Sequence, residues 1–153
     1  MKVGHIIYRV EDLHTGVERF RAKGFEVEYG TIKNPYNAMV YFSEGPYLEI
    51  LGGTGMPSAV KKLLRVFGKG KLVERLDSFD DHPGGPCGLA LENYETDLDA
   101  ERALLKKHGM GCAVIGSRRN DTKSRKLRFK VGYPDDLQVP FFMTYFNIDP
   151  KPK

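Results

Sequence analysis

The sequence predicts an α+β fold in which two tandem βαβββ modules are joined by a helical linker. Two observations predict it: the same order of strand and helix patterns occurs twice within 153 residues, and each copy has a leucine eleven positions before the glycine that ends its helix. With 41% hydrophobic residues the chain can bury a core, which excludes extensive disorder. We place the first module at residues 1–52, the linker at 53–86 and the second module at 87–147, all in one compact domain.

The first module begins with a short apolar strand over residues 3–10. Apolar residues at helical spacing follow, with Asp12 as the N-cap and Gly24 as the stop. Alternating or apolar runs bounded by turn residues then predict three more strands. These strands cover residues 25–29, 38–42 and 47–51.

The linker and the second module show the same kinds of pattern. Residues 58–67 have helical spacing, residues 72–76 suggest a second short helix, and a Pro- and Gly-rich segment ends the linker. The second module then repeats strand, helix and three strands, with Leu98 and Gly109 in the places of Leu13 and Gly24. Its strands are predicted at residues 88–92, 112–115, 126–131 and 140–146.

Charge and composition limit the classes of partner. The net charge is +4, and the basic residues cluster at residues 61–75 and 118–130, which fits a solvated face or an acidic ligand. The usual RNA-binding aromatic motif and a recognition-helix signature are missing, which argues against nucleic acid. No apolar run approaches the roughly 18 residues of a membrane span. Two cysteines and no signal-peptide pattern lead us to expect a cytoplasmic protein.

Strand alternation predicts a cleft with a polar pair inside it. One face of the first sheet is expected under the helix and carries Ile6, Tyr8, Val10, Leu48 and Ile50. The other face carries His5, Ile7, Arg9, Tyr47, Glu49 and Leu51, a mixture too apolar for water and too polar for a core. Two such sheets placed edge to edge would enclose a ligand site. His5 and Glu49 are its main candidates.

An inward carboxylate at Glu49 needs a partner, because burying an unpaired charge is costly. The partner could be a metal, His5 or Arg9, and a structural Glu49–Arg9 pair is the plainest alternative. A desolvated, free carboxylate would instead have a raised pKa and could accept a proton from a carbon acid. Asn37, Tyr41 and Tyr47 are further candidates to line the cleft, although aromatic residues there also serve packing.

These patterns resemble a known family. The opening Gly4-His5-Ile6-Ile7-Tyr8-Arg9-Val10-Glu11-Asp12-Leu13, the stretch from Asn37 to Glu49 and the final Pro140-Phe141-Phe142, set in paired βαβββ modules, are similar to the vicinal oxygen chelate superfamily and its glyoxalase-like branch. The resemblance implies a glyoxalase/bleomycin-resistance-type fold. It also implies that a small oxygen-containing molecule binds between the modules.

The resemblance implies a divalent metal (Zn, Ni, Mn or Fe) held by His5 and Glu49, with two further ligands from the second module. That module offers Gly88, Leu89 or Ala90, and Met143 or Thr144, at the matching positions, so the predicted metal site is incomplete. Two functions follow. One is a lyase-, isomerase- or dioxygenase-type enzyme with Glu49 as base and His5 assisting, and the alternative is a metal-free binding or sequestering protein.

The resemblance further implies an arginine that faces the ligand at Arg118, where Arg118 or the adjacent Arg119 could bind a carboxylate or phosphate. The full set of expected substrate contacts is Arg9, Asn37, Tyr41, Tyr47, Arg118, Phe142 and Thr144. Exposed sheet edges, and the pairing or exchange of modules in the superfamily, predict a homodimer.

Overall fold

A computed structural model describes residues 1–151 as eight strands and four helices. The elements are β1 (Lys2–Arg9), α1 (Leu13–Arg21), β2 (Glu28–Tyr29), β3 (Asn37–Val40), β4 (Tyr47–Leu51), α2 (Ser58–Val66), α3 (Gly70–Asp80), β5 (Gly85–Asn93), α4 (Asp99–Lys107), β6 (Cys112–Asn120), β7 (Lys126–Pro134) and β8 (Phe141–Thr144). Their order confirms the predicted α+β fold with repeated βαβββ units.

All eight strands form a single curled sheet in the order β2-β3-β4-β1-β5-β8-β7-β6. The two modules meet where β1 runs antiparallel to β5. Each of these central strands also pairs in parallel with the last strand of its own module, so that His5 lies opposite Tyr47 and Ala90 opposite Phe141. The repeat in the sequence therefore becomes an approximate two-fold relation about the β1–β5 pair.

Helix α1 begins and ends as predicted. The Asp12 carboxylate caps it by accepting a hydrogen bond from the Thr15 amide at 2.7 Å, and Gly24 follows with a positive φ of 87°. The helix packs on β3 and β4, where Val17, Ala38, Val40 and Ile50 form a buried cluster.

The prediction that α1 also covers Ile6 is wrong, because Ile6 remains 37% exposed. The helix packs mainly on β3 and β4, and it reaches the central strand β1 through Phe20, whose ring lies edge-on to Tyr8 at 5.4 Å.

The linker forms two helices of different character. Helix α3 buries one apolar face, including Leu76 and Phe79, whereas α2 buries none of its residues. Part of the basic cluster is internal: Arg75 is 4% exposed and donates hydrogen bonds to the carbonyls of Pro134, Asp136, Leu137 and Val139. Among residues 1–151, no helix has the length and apolar character needed to cross a membrane.

The two edge strands of the sheet approach each other. Arg119, near the end of β6, donates a hydrogen bond from Nη1 to the carbonyl of Gly30 at 2.8 Å, and Thr122 bonds to the carboxylate of Glu28 on β2. Strand β2 is only two residues long, shorter than predicted, and β6 extends to Asn120, longer than predicted. These side-chain contacts bridge the gap between the edges, so the curled sheet surrounds a hollow.

Candidate functional site

A cavity of about 240 Å³ occupies the hollow of the sheet. Its charged lining residues are His5, Glu49 and Arg119. The second module contributes most of the aromatic surface, with Phe129, Phe141 and Phe146. A mostly apolar cavity with a few polar groups pointing into it is the usual form of a small-molecule site.

The His5 imidazole lies between two carboxylates. Its Nε2 is 3.3 Å from Glu49 Oε2, and its Nδ1 is 3.2 Å from Glu92 Oε1. The ring also stacks on Tyr47, with 4.6 Å between the ring centroids. Asn37 Nδ2 donates to the other oxygen of Glu49, Oε1, at 2.7 Å. The predicted pair is thus part of a buried Glu–His–Glu cluster that fixes the orientation of Glu49.

The charge states of this cluster follow from its contacts. Burial by itself lowers the pKa of His5, but hydrogen bonds and charge interactions with both carboxylates outweigh burial and raise the pKa above its ordinary 6.5. Burial tends to raise the pKa of Glu49, yet His5, Asn37 and the field of Arg119 lower it below its ordinary 4.5. At neutral pH the Glu49 side chain is therefore a carboxylate, and the two neighbouring carboxylates favour the charged form of His5.

The possibility of a free, desolvated Glu49 with a raised pKa is therefore wrong, and so is the Glu49–Arg9 pair. The Arg9 guanidinium instead donates to the carbonyls of Leu51, at 3.4 Å, and Asp80, at 3.3 Å. These two carbonyls hold Arg9 at the end of β1, against the end of helix α3 and away from the cavity lining.

Of the remaining predicted contacts, Asn37 and Tyr47 line the cavity, whereas Tyr41, Arg118, Phe142 and Thr144 do not. Strand alternation explains the last three, since the inward positions are the neighbouring Arg119, Phe141 and Met143. The exposed Arg118 lies on the outer side of β6, and the Thr144 hydroxyl accepts a hydrogen bond from the Lys130 amide. Tyr41 packs against the ring of Tyr47.

Sequence reasoning missed Glu92 and Tyr133, and it named Arg119 only as the alternative to Arg118. Glu92 shares a face of β5 with Gly88 and Ala90, and it is a carboxylate in an apolar strand, the signal that identified Glu49. Its position next to His5 also requires Gly4, because a side chain there would collide with the Glu92 carboxylate. Strand alternation alone could not choose between Arg118 and Arg119, because no residue in the sequence marks which face of β6 is inward.

The donor set does not fit a closed divalent-metal site. The strand pairing makes Ala90 the counterpart of His5 and Met143 the counterpart of Glu49, and neither replaces a lost ligand. Both nitrogens of His5 already bond to carboxylates. Within residues 1–151, no three His, Cys, Asp or Glu side chains are grouped so that they could hold a metal ion.

Two βαβββ modules curled around a shared cavity define a protein of the vicinal oxygen chelate class. A family model described as a glyoxalase-like domain matches residues 3–153, and the chain belongs to this family. Comparison with curated proteins gives no match.

Among solved structures, the chain is similar to methylmalonyl-CoA epimerase. The Streptomyces coelicolor enzyme in complex with 2-nitronate-propionyl-CoA is 22% identical, with a TM-score of 0.55 over 94% of this chain and 95% of that chain. A methylmalonyl-CoA epimerase in complex with methylmalonyl-CoA and NH4+ is 23% identical, with a TM-score of 0.54 over 94% and 92%. At this level of identity the likeness shows the fold.

Proposed function

We propose that this protein is an isomerase-type enzyme that acts on a small oxygen-containing molecule. It transfers a proton at the carbon atom next to a carbonyl group, with Glu49 as the base. The single observation that carries the proposal is the Glu49 carboxylate at the cavity wall, ionised and held by hydrogen bonds to both of its oxygens. A base must be unprotonated and correctly placed before it can act.

The contacts of Glu49 leave it able to accept a proton. Each carboxylate has about four lone-pair sites, and Asn37 and His5 occupy two of them. His5, which lies between Glu49 and Glu92, keeps the Glu49 carboxylate oriented. In this role His5 positions the base rather than removing the substrate proton itself.

Removal of a proton next to a carbonyl places negative charge on the carbonyl oxygen, and a donor near that oxygen lowers the barrier. Tyr47 and Tyr133 line the same cavity, and burial raises the pKa of both phenols. They stay protonated at neutral pH, so their hydroxyl groups are available as donors to such an oxygen.

The likeness to methylmalonyl-CoA epimerase supports this reaction type, because an epimerase inverts a stereocentre. The size of the cavity limits how large a ligand it can hold. At about 240 Å³ the cavity lies just below the roughly 300–1,000 Å³ that is usual for ligand pockets. A small molecule, or the acyl end of a larger one, fits this space.

A metal has no part in the proposed reaction, because the donor set is incomplete and His5 is engaged on both sides. The proposal therefore predicts that activity survives dialysis against a chelator.

A metal-free binding or sequestering protein is the second candidate, and one observation favours it. The contacts with His5 and Asn37 that orient Glu49 also lower its pKa, and a carboxylate with a lower pKa is a weaker base. In that case the same cavity would bind the ligand without turnover.

Deuterium exchange tests the two candidates. Chelator-treated protein is incubated in D2O with small 2-oxo acids, beginning with 2-oxobutyrate, and loss of the C3–H signal is followed by proton NMR. The wild-type protein should accelerate exchange, and Glu49→Gln should reduce the rate at least about a hundredfold. Glu26→Gln, which changes an exposed carboxylate, is the matched control and should keep the rate. Undiminished exchange in Glu49→Gln would contradict the role of Glu49, and binding without exchange would favour the second candidate.

A further inference from the structure

The cavity contains a cation, Arg119, that forms no direct salt bridge with a carboxylate in the described part of the chain. The charge of His5 is shared with Glu49 and Glu92, whereas Arg119 makes no ion pair with any residue in the described part of the chain. Its protein contacts are a hydrogen bond from Nη1 to the Gly30 carbonyl and the face of the Phe146 ring, 5.8 Å from the guanidinium carbon. A guanidinium has five N–H donors, so most of them are left for a ligand.

The surroundings of Arg119 hold the guanidinium in place. The missing side chain of Gly30 leaves the space that Arg119 Nη1 and Asn37 Oδ1 occupy, and a Cβ atom there would collide with both. The Gly30 amide in turn donates to the Asn37 carbonyl at 2.9 Å. The guanidinium is therefore fixed between β2, β6 and an aromatic ring before any ligand binds, which reduces the entropy lost on binding.

A second polar atom in the same place is without a partner. Asn37 is 7% exposed, and its Nδ2 is engaged by Glu49, but Oδ1 is buried and accepts no hydrogen bond from the described residues. Buried acceptors without partners are uncommon, and in a cavity this one indicates where a water or a donor group of the ligand, rather than its carboxylate, binds. This acceptor lies beside Arg119, against Gly30.

On these observations we infer that the substrate or ligand is a small carboxylic acid whose carboxylate is bound by Arg119. The inference rests on the proposed function only for the position of the reacting carbon, which would lie toward Glu49. Repulsion between two carboxylates favours this orientation, because the ligand's anionic group is then away from Glu49. The aromatic surface of the cavity receives the rest of the molecule.

A monoanion fits better than a phosphate dianion. One guanidinium can form an ion pair with one negative charge, and a second charge on the ligand would be buried without a partner in a cavity that already contains Glu49. The planar fork of Arg119 also matches the two oxygens of a carboxylate.

Matched ligands test this inference without any change to the protein. Affinities of 2-oxobutyrate and of its methyl ester, which has nearly the same shape but no charge, are measured by ligand-observed NMR at low salt. Wild-type protein should bind the acid roughly tenfold or more tightly than the ester. Equal affinities, or no detectable binding of the acid at millimolar concentration, would overturn the inference.

Variants then assign the preference to one residue. Arg119→Gln should lose the preference for the acid, and Arg119→Lys, which keeps the charge without the fork, should retain part of it. Arg118→Gln removes the same charge from the outer side of the strand and should leave the preference intact. Far-UV circular dichroism confirms folding of each variant. A preference that persists in Arg119→Gln would show that another group binds the anion.

The same measurements in Glu49→Gln separate this inference from the proposed function. One outcome is that the preference for the acid depends on Arg119, but neither the wild-type protein nor any variant catalyses deuterium exchange into the ligand. The isomerase proposal then fails and the carboxylate site stands. If acid and ester exchange at equal rates through Glu49, the carboxylate site fails and the isomerase proposal stands.

Discussion

His5 is the residue on which the electrostatics of the cavity depend. An imidazole between two carboxylates, at 3.3 Å and 3.2 Å, is stabilised in its charged form, and the positive charge in turn keeps Glu49 ionised. Removing either carboxylate should therefore change the titration of the ring. Glu92 is the better one to change, because it does not line the cavity.

We predict that the His5 ring titrates above pH 6.5 in the folded protein and that Glu92→Gln lowers this pKa. Proton NMR of the ring signals measures both values. Far-UV circular dichroism of the variant confirms that it is folded. A wild-type His5 pKa at or below 6.5 would contradict the described contacts.

The same shifts determine how stability depends on pH. Because the pKa of His5 is raised by folding, its stabilising contribution is complete below about pH 6.5 and is lost as the pH rises through the folded-state value. Because the pKa of Glu49 is lowered, its contribution is present above about pH 4.5 and is lost as the pH falls through the folded-state value. The cluster is thus expected to stabilise the fold most in mildly acidic solution.

At the scale of elements, the ends of β2 and β6 decide the shape of the cavity. Strand β2 is short, and the backbone immediately after it, at Gly30, bonds to Arg119 and to the backbone of Asn37. The absence of a side chain at Gly30 is what allows two polar groups to lie side by side there. A residue outside the predicted site therefore controls two residues that line it.

Gly30→Ala should destabilise the fold by about 1–3 kcal/mol, because the added methyl group overpacks the contact with Asn37 and Arg119. Chemical denaturation monitored by circular dichroism measures the change. Gly116→Ala is the matched control: Gly116 is a strand glycine of β6 with open space around its Cα, so we expect little change. Equal effects of the two substitutions would show that the contact with Asn37 and Arg119 does not limit the space at Gly30.

The folded linker changes the interpretation of the basic cluster at residues 61–75. In the sequence, Arg75 and Lys61 belong to a basic cluster that fits a solvated face or an acidic ligand. In the fold, Arg75 ties the β7–β8 connection to α3 through four carbonyls, and Lys61 bonds to Asp77 and Asp80. Burial and pairing turn these cations into structural contacts of the linker.

At the scale of the whole molecule, the curl of the sheet weakens the prediction of a homodimer from exposed sheet edges. The edges β2 and β6 face each other through Arg119 and Thr122, so they are less open to strand pairing with another chain than separate modules would be. An apolar surface remains elsewhere, since Ile6 and Leu89 lie opposite each other on β1 and β5 and are 37% and 36% exposed.

We still predict a homodimer, with this central surface as the place of contact. Sedimentation equilibrium should give about twice the 17.3 kDa mass of the chain. Leu89→Lys should shift the equilibrium toward the single chain, because it places a charge in an apolar contact. A mass near 17.3 kDa across the micromolar range would contradict the prediction.

Local sequence patterns were sufficient to predict the two modules, the cap at Asp12, and the shared inward face of His5 and Glu49, because strand alternation and helix periodicity are local properties of the chain. The folded chain was needed to show that Glu92, rather than Arg9, joins this pair and that Arg119, rather than Arg118, enters the cavity. Those contacts join residues far apart in the chain, through the β1–β5 pairing and the curl that brings β6 to β2. Register between distant strands depends on how the whole core packs, and local sequence patterns do not record it.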